Sequence, residues 1–484
     1  MNTNKLTIWH VVFGGLFVLL SIMLAYKELY MVIMAIPIAL VIAYVFVFNL
    51  SKFYYLLVFL TPLSLPLKEF AGELTFDMNL PTEPMLLALL AIVIFKYIHE
   101  KDFNPKLLLH PVSMAIMVNL AWIFITSLTS TMPLVSFKFF LARLWFVGAL
   151  YFLAGEIFKD KENIYKMLWA YMAGLAIVVL IVTSKNVMLG LGNKNIAHHV
   201  MNPLFKDHTS YGAVLALFFP FLVANLFQKN MTFAKRWTII FFVVLFTTAI
   251  VLSYTRAAWL GLVFVLGVYL LVHFKIKFRT IFTVLLVIAW VGYSFSHQII
   301  NSLDRNEQDS SGNLSKHIRS ITNISSDASN LERLNRWGCA FRMFKEKPLL
   351  GWGPGTYMFQ YAPFQRQNEM TIISTNNADV GNAHSEYLGP LAESGLPGTL
   401  SFVAIIAVVL VYGFRVYFRL KHPKDKALIM GLVLGLITYY LHGFLNNFLD
   451  MDKATVPFWG FTAAIVMFDL YHSRKPEDLT QVNK

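Results

Sequence analysis

The chain has 484 residues, 57% of them hydrophobic and 14% charged, with 43 phenylalanines and a net charge of +13. A soluble globular domain carries roughly 25% charged residues, so this composition excludes one and points to a polytopic membrane protein. In such a protein a basic excess reflects cytoplasmic loops and does not signal nucleic acid, and the single cysteine, Cys339, excludes an intramolecular disulfide.

Apolar runs of roughly 20 residues are long enough to cross a bilayer. They predict spans near 7–26, 30–50, 53–67, 82–98, 110–130, 137–158, 165–184, 209–228, 237–254, 257–274, 280–297, 396–414, 428–447 and 455–472. No small-residue cleavage site follows the first run, so it reads as a helix and not as a signal peptide. The third run is short and broken by Pro62 and Pro66, and it either crosses or re-enters. The predicted fold is an all-α polytopic membrane protein of about 12–14 transmembrane helices, without internal repeats. One large, partly helical loop separates the eleventh and twelfth. The expected domains are an N-terminal bundle (1–297), this loop (298–395), C-terminal helices (396–472) and a tail (473–484).

Basic residues set the orientation. Lys96, Lys101 and Lys106, Lys159, Lys161 and Lys166, and the group from Arg415 to Lys426 fall in alternate connections, while the intervening short loops hold few. The bias puts both termini in the cytoplasm and the large loop outside.

Taken in order, the polar residues that break the apolar pattern gather at the outer side. Arg143 lies inside the sixth span, a costly position that marks either a functional site or a snorkelling side chain. The loop 185–208 holds Lys194, His198, His199, Lys206, Asp207 and His208. Adjacent histidines without a spaced carboxylate or cysteine are weak metal ligands, and an ordinary polar loop is the simpler reading. Arg256 sits in a tight turn between two spans, where an interfacial anchor is the bland alternative. From Asn330 to Pro348, Leu331, Leu334, Trp337, Phe341 and Phe344 fall at helical spacing. Arg333, Arg336, Arg342, Lys345 and Lys347 fill the other face. This basic amphipathic helix suits anionic headgroups or pyrophosphate, or else packs on the protein with its charges solvated. Gly351-Trp352-Gly353-Pro354-Gly355 lacks the strand and the Gly-Lys-Ser/Thr of a phosphate loop, and it reads as an interfacial turn with a Trp anchor. His384 stands where the polar loop meets the membrane, beside Glu386 and Glu393, and a histidine there can exchange a proton near neutral pH. His442, Asn446, Asn447 and Asp450 close the thirteenth span.

Three passages resemble the O-antigen ligase/polymerase superfamily of bacterial envelope glycosyltransferases. They are Thr255-Arg256-Ala257-Ala258-Trp259-Leu260-Gly261; Asn330 to Trp337 followed by Pro348 to Gly355; and His384-Ser385 with Gly395-Leu396-Pro397-Gly398 nine residues on. The resemblance covers roughly residues 190–460. It implies an enzyme in the bacterial inner membrane, active at its periplasmic face. Such enzymes move a glycan from a polyprenyl diphosphate carrier to an acceptor hydroxyl, on lipid A-core in ligases or on the growing glycan in polymerases, without nucleotide or metal. His384 would be the general base of an inverting displacement, and Arg256 the first ligand of the diphosphate. Arg143, Lys206, Arg333, Arg336, Glu386 and His442 would bind substrate. Family ligases carry an arginine in the loop before the eighth span. Here Lys206 or Lys194 takes its place, without a bidentate fork. The alternative of another class, a non-catalytic lipid-glycan transporter, predicts paired charges at the midplane and repeated halves, which this sequence lacks.

Overall fold

A computed structural model describes residues 49–69, 78–100, 104–190, 193–229, 231–276, 328–371, 374–375 and 381–473. The spans expected at 7–26 and 280–297, and nearly all of 30–50, lie outside them. Residues 58–484 form one compact unit; of the unit before it, residues 49–57 are described.

The described residues are helical almost throughout, as a bilayer requires of a chain that must satisfy its backbone internally. In order they form α1 (Leu50–Leu60), α2 (Thr82–Phe95), α3 (Pro111–Leu128), α4 (Pro133–Ile157), α5 (Glu162–Gly190), α6 (His208–Leu226), α7 (Phe233–Leu252), α8 (Arg256–His273), α9 (Ala328–Glu346), α10 (Leu388–Arg419), α11 (Pro423–His442) and α12 (Asp452–His472). Among the described residues eight of these helices are long and apolar enough to cross a membrane. The expected span 53–67 is not one helix. It ends in a tight turn at Thr61–Leu63, where Pro62 interrupts the helical bonding, and Leu65–Pro66 pairs antiparallel with Asn79–Leu80.

Helices α11 and α12 are buried along nearly their whole length. Glycine makes this possible: a Cβ at Gly431 would stand 2.6 Å from Phe221 Cα, and one at Gly435 would stand 2.2 Å from the Leu217 carbonyl oxygen. Small residues thus let α11 and α6 approach backbone to backbone. The surrounding helices turn apolar side chains outward, among them Trp237, Phe241 and Val244 on α7 and Val263 and Phe264 on α8. Asp469 of α12 pairs with Arg419 (2.8 Å) and His110 (3.4 Å) at one end of the bundle.

The segment after Ala328 caps the other end. The side of α9 turned inward carries Glu332, Asn335, Arg336, Cys339, Ala340 and Met343, while Leu334 and Phe341 of the predicted apolar face are 46% and 48% exposed. The polar network that makes this possible centres on Glu332. Its carboxylate accepts from Arg336 Nε at 2.6 Å, from the Thr371 hydroxyl at 3.0 Å and from Ser374. Trp352, expected to anchor in lipid, instead donates its indole N–H to the Met343 carbonyl at 3.0 Å and packs on Phe364. Its loop is a clasp. The Trp352 carbonyl accepts from the Thr131 N–H and hydroxyl at the α3–α4 turn, and the Gly353 N–H donates to the Glu393 carbonyl at 2.8 Å. Gly353 has φ +118°, and a Cβ there would meet Ser130 Oγ at 1.9 Å, so only glycine fits.

Candidate active site

His384 lies in the connection between this cap and α10. Its backbone is left-handed (φ 48°), a conformation that is uncommon for a residue other than glycine, and its N–H donates to Asn382 Oδ1 at 3.0 Å. Burial lowers the histidine's pKa to about 4, and the cations Arg333, Arg336 and Lys206 push in the same direction, against Glu332. The imidazole is therefore neutral at pH 7 and sits in a positive field.

These cations differ in their engagement. Arg336 is 3% exposed; it pairs with Glu332 and stacks 4.0 Å over the Tyr361 ring. Arg333 is half-buried and donates through Nε to the Leu445 carbonyl at 3.2 Å. Lys206 is exposed and directly precedes Asp207, which caps α6 by accepting from the Ser210 N–H at 2.7 Å.

Glu386 is committed to the connection after α11. Its Oε1 accepts from the Tyr439 hydroxyl (2.7 Å) and from the N–H groups of Phe448 (2.7 Å) and Leu449 (2.8 Å). Its own N–H donates to the Gly443 carbonyl at 2.8 Å. Burial, reinforced by Asp450, raises the pKa of this carboxyl to about 7 against the pull of Arg143 and these donors. Glu393 accepts the Tyr357 N–H at 2.9 Å and holds the glycine-rich clasp. Arg143 reaches the same connection from α4: Nη1 donates to the Leu449 carbonyl at 2.5 Å and Nη2 meets Asp450 at 2.7 Å. Its charge is paired with Asp450, whose side chain is 47% exposed. Arg143, Glu386 and Glu393 line one cavity with Asn119 and Trp459.

His442 ends α11, 2% exposed, with its ring 5.5 Å from that of Phe448. Neither ring nitrogen has a hydrogen-bond partner among the described residues. Asp207, Arg333 and His208 are its charged neighbours. Arg256 opens α8. The Thr255 hydroxyl beside it donates to the His208 carbonyl at 2.7 Å, which holds Arg256 at the same end of the bundle. His198 stacks on His208 at 3.8 Å.

The predicted site residues therefore fall into three groups. Arg333, Arg336 and Lys206 set the positive field at His384, and Arg333 acts on His442 as well. Arg143 and Glu386 share the connection after α11. Arg256 stands at the head of α8 beside the start of α6. Sequence reasoning missed Glu332, although its spacing four residues before Arg336 is that of a helical ion pair. It also missed the capping role of Asp207.

The fold and this end of the bundle define a multi-pass membrane protein with a half-buried neutral histidine in a field of cations. Residues 241–403, which include Arg256 and His384, match a family model described as O-antigen ligase. The match supports the O-antigen ligase/polymerase superfamily, whose members are membrane glycosyltransferase-like enzymes of O-antigen processing. No curated protein matches the chain.

Proposed function

We propose that the protein transfers a glycan from a polyprenyl (undecaprenyl) diphosphate carrier to a hydroxyl of lipid A-core, as an O-antigen ligase. It works at the periplasmic face of the bacterial inner membrane, with both termini in the cytoplasm. One observation carries the reading: His384 is a half-buried, neutral imidazole in the field of Arg333, Arg336 and Lys206. A neutral imidazole can accept a proton, and cations beside it favour a diphosphate leaving group.

In this reaction an acceptor oxygen attacks the anomeric carbon, its proton passes to His384, and the carbon–oxygen bond to the diphosphate breaks with its electron pair leaving on the phosphate. The configuration inverts. Arg256, Arg333 and Lys206 take the diphosphate oxygens, and His442 lies within reach of the same charge. Arg336, Arg143 and Glu386 serve the substrates through position: Arg336 holds α9 against the His384 connection, and the other two hold the connection after α11. Burial is the larger cause of the depressed His384 pKa; the smaller, cationic part is offset when a diphosphate is seated, so the base strengthens when its substrate arrives.

A polymerase that joins repeat units on the carrier is the second reading. The loop before α6 favours it, offering Lys206 where family ligases have an arginine. The test is transfer in proteoliposomes supplied with polyprenyl-diphosphate glycan and lipid A-core, without added metal. Product on lipid A-core supports the ligase, a ladder of longer carrier-linked glycan supports the polymerase, and full activity of His384→Ala refutes the general base.

A further inference from the structure

Helix α9, read from the sequence as suited either to a membrane surface or to packing on the protein, exposes part of its apolar stripe. Leu334 and Phe341 lie two turns apart on one outward side. The turn after the helix adds Leu349 (66% exposed) and Leu350 (39%). This patch is continuous with a membrane-facing surface. The Leu396 N–H donates to the Pro348 carbonyl at 2.9 Å, so the turn abuts the start of α10. From that point α10 exposes Leu396, Leu400, Val403, Val411 and Phe418 along one side, the pattern of a helix facing lipid. Lys345 is exposed at the end of α9, and Lys347 covers the Trp352 ring with its ammonium group 4.2 Å from the centroid; the one acid beside them is Glu346.

We propose that α9 is an interfacial helix, with Leu334, Phe341 and Leu349 docked into the leaflet in which α10 begins and Lys345 among its phosphates. An apolar stripe bordered by lysines is the composition that binds a bilayer surface, its apolar side chains sinking roughly 5–10 Å into the headgroup–acyl boundary. Arg333, on the same helix, is then held at headgroup depth, where the diphosphate of a lipid carrier resides. The docking itself rests on exposure and continuity and stands apart from the transferase reading.

The test uses the full chain in vesicles of phosphatidylcholine and phosphatidylglycerol, with the label bimane placed on Leu334→Cys or Phe341→Cys. Both sites are exposed, and wild type, whose single cysteine Cys339 is fully buried, is the labelling blank. Arg366→Cys, at a side chain 64% exposed beside Glu369, is the water-facing control. The expected result is loss of about half the emission at Leu334→Cys and Phe341→Cys to lipids spin-labelled at the headgroup or upper chain, the depth at which such a helix lies. Aqueous iodide should have little effect there and should quench Arg366→Cys. Iodide quenching without lipid quenching at both α9 sites would show a water-facing stripe and overturn the proposal. Shielding from both quenchers would also overturn it, showing a stripe covered by residues 277–327 or by a second copy. Transfer measured in the same vesicles reports separately on the proposed activity.

Discussion

Arg143 and Glu386 grip Leu449 from its two polar groups. The guanidinium donates to the Leu449 carbonyl at 2.5 Å, and the carboxylate accepts the Leu449 N–H at 2.8 Å. The connection between α11 and α12 is thus fixed by a cation from α4 and an anion two residues beyond His384. The geometry of the histidine and of this connection are one unit.

Removing Glu386 should therefore damage the fold more than the chemistry. In Glu386→Ala two buried N–H groups and the Tyr439 hydroxyl lose their acceptor, at about 1–3 kcal/mol for each donor left unsatisfied. Thermal unfolding in detergent should show a midpoint well below wild type. Glu386→Gln retains an acceptor oxygen and should recover most of the loss. Equal midpoints for the Ala variant and wild type would contradict the anchoring role.

Two neighbouring arginines of α9 should separate. Arg336 is buried against Glu332, so Arg336→Ala leaves a carboxylate uncompensated and should cost about 3–5 kcal/mol of stability. Arg333→Ala removes a half-exposed cation and should leave unfolding almost unchanged while lowering transfer, with the loss in KM for the carrier-linked donor. Unfolding curves and donor titrations on the two variants check this; a reversed ranking would move the diphosphate contact to Arg336.

The protonation of His384 has a signed consequence for stability. Its folded pKa is about 4, below the ordinary value of 6.5, so between these values the unfolded chain binds the extra proton. The stability it contributes is full above pH 6.5 and falls as pH drops toward 4, by roughly 3 kcal/mol at 1.36 kcal/mol per pKa unit. His384→Asn keeps a residue that tolerates the left-handed backbone. It should show a flatter dependence over this window than wild type when unfolding midpoints are compared from pH 7 to 4.

The clasp formed by the glycine-rich loop can be tested at Gly353. Alanine there would clash with Ser130 and adopt a strained φ, so Gly353→Ala should unfold several degrees early and lose activity although it lies outside the site. Ser130→Gly removes the nearest clash but leaves Ser136 Oγ at 2.8 Å and the backbone strain, so the double variant should recover stability only in part. Complete recovery would show that the backbone conformation costs nothing.

The spans that fall within the described residues, apart from 53–67, could be read along the chain, as could the motif around His384. A crossing of roughly 20 apolar residues is a local property, and the histidine with its glycine pair is a local motif. The ion pair between Glu332 and Arg336 was legible too, at a spacing of four on a helix. The partners of Glu386 were not: Tyr439, Phe448 and Leu449 are 53, 62 and 63 residues away, and only folding brings them to one carboxylate oxygen.

The side of α9 that turns inward also lay beyond the reach of the sequence. Helical periodicity identified its apolar stripe correctly, but in a membrane protein the lipid is as apolar as the core, so a stripe does not declare which of the two it faces. The chain alone determined that α9 is amphipathic and basic. Tertiary structure decided that its polar side, with Glu332 and Arg336, goes inward. There Ser374, Thr371 and Tyr361, contributed by a distant stretch, satisfy or stack on the buried charges that the helix alone would have left exposed.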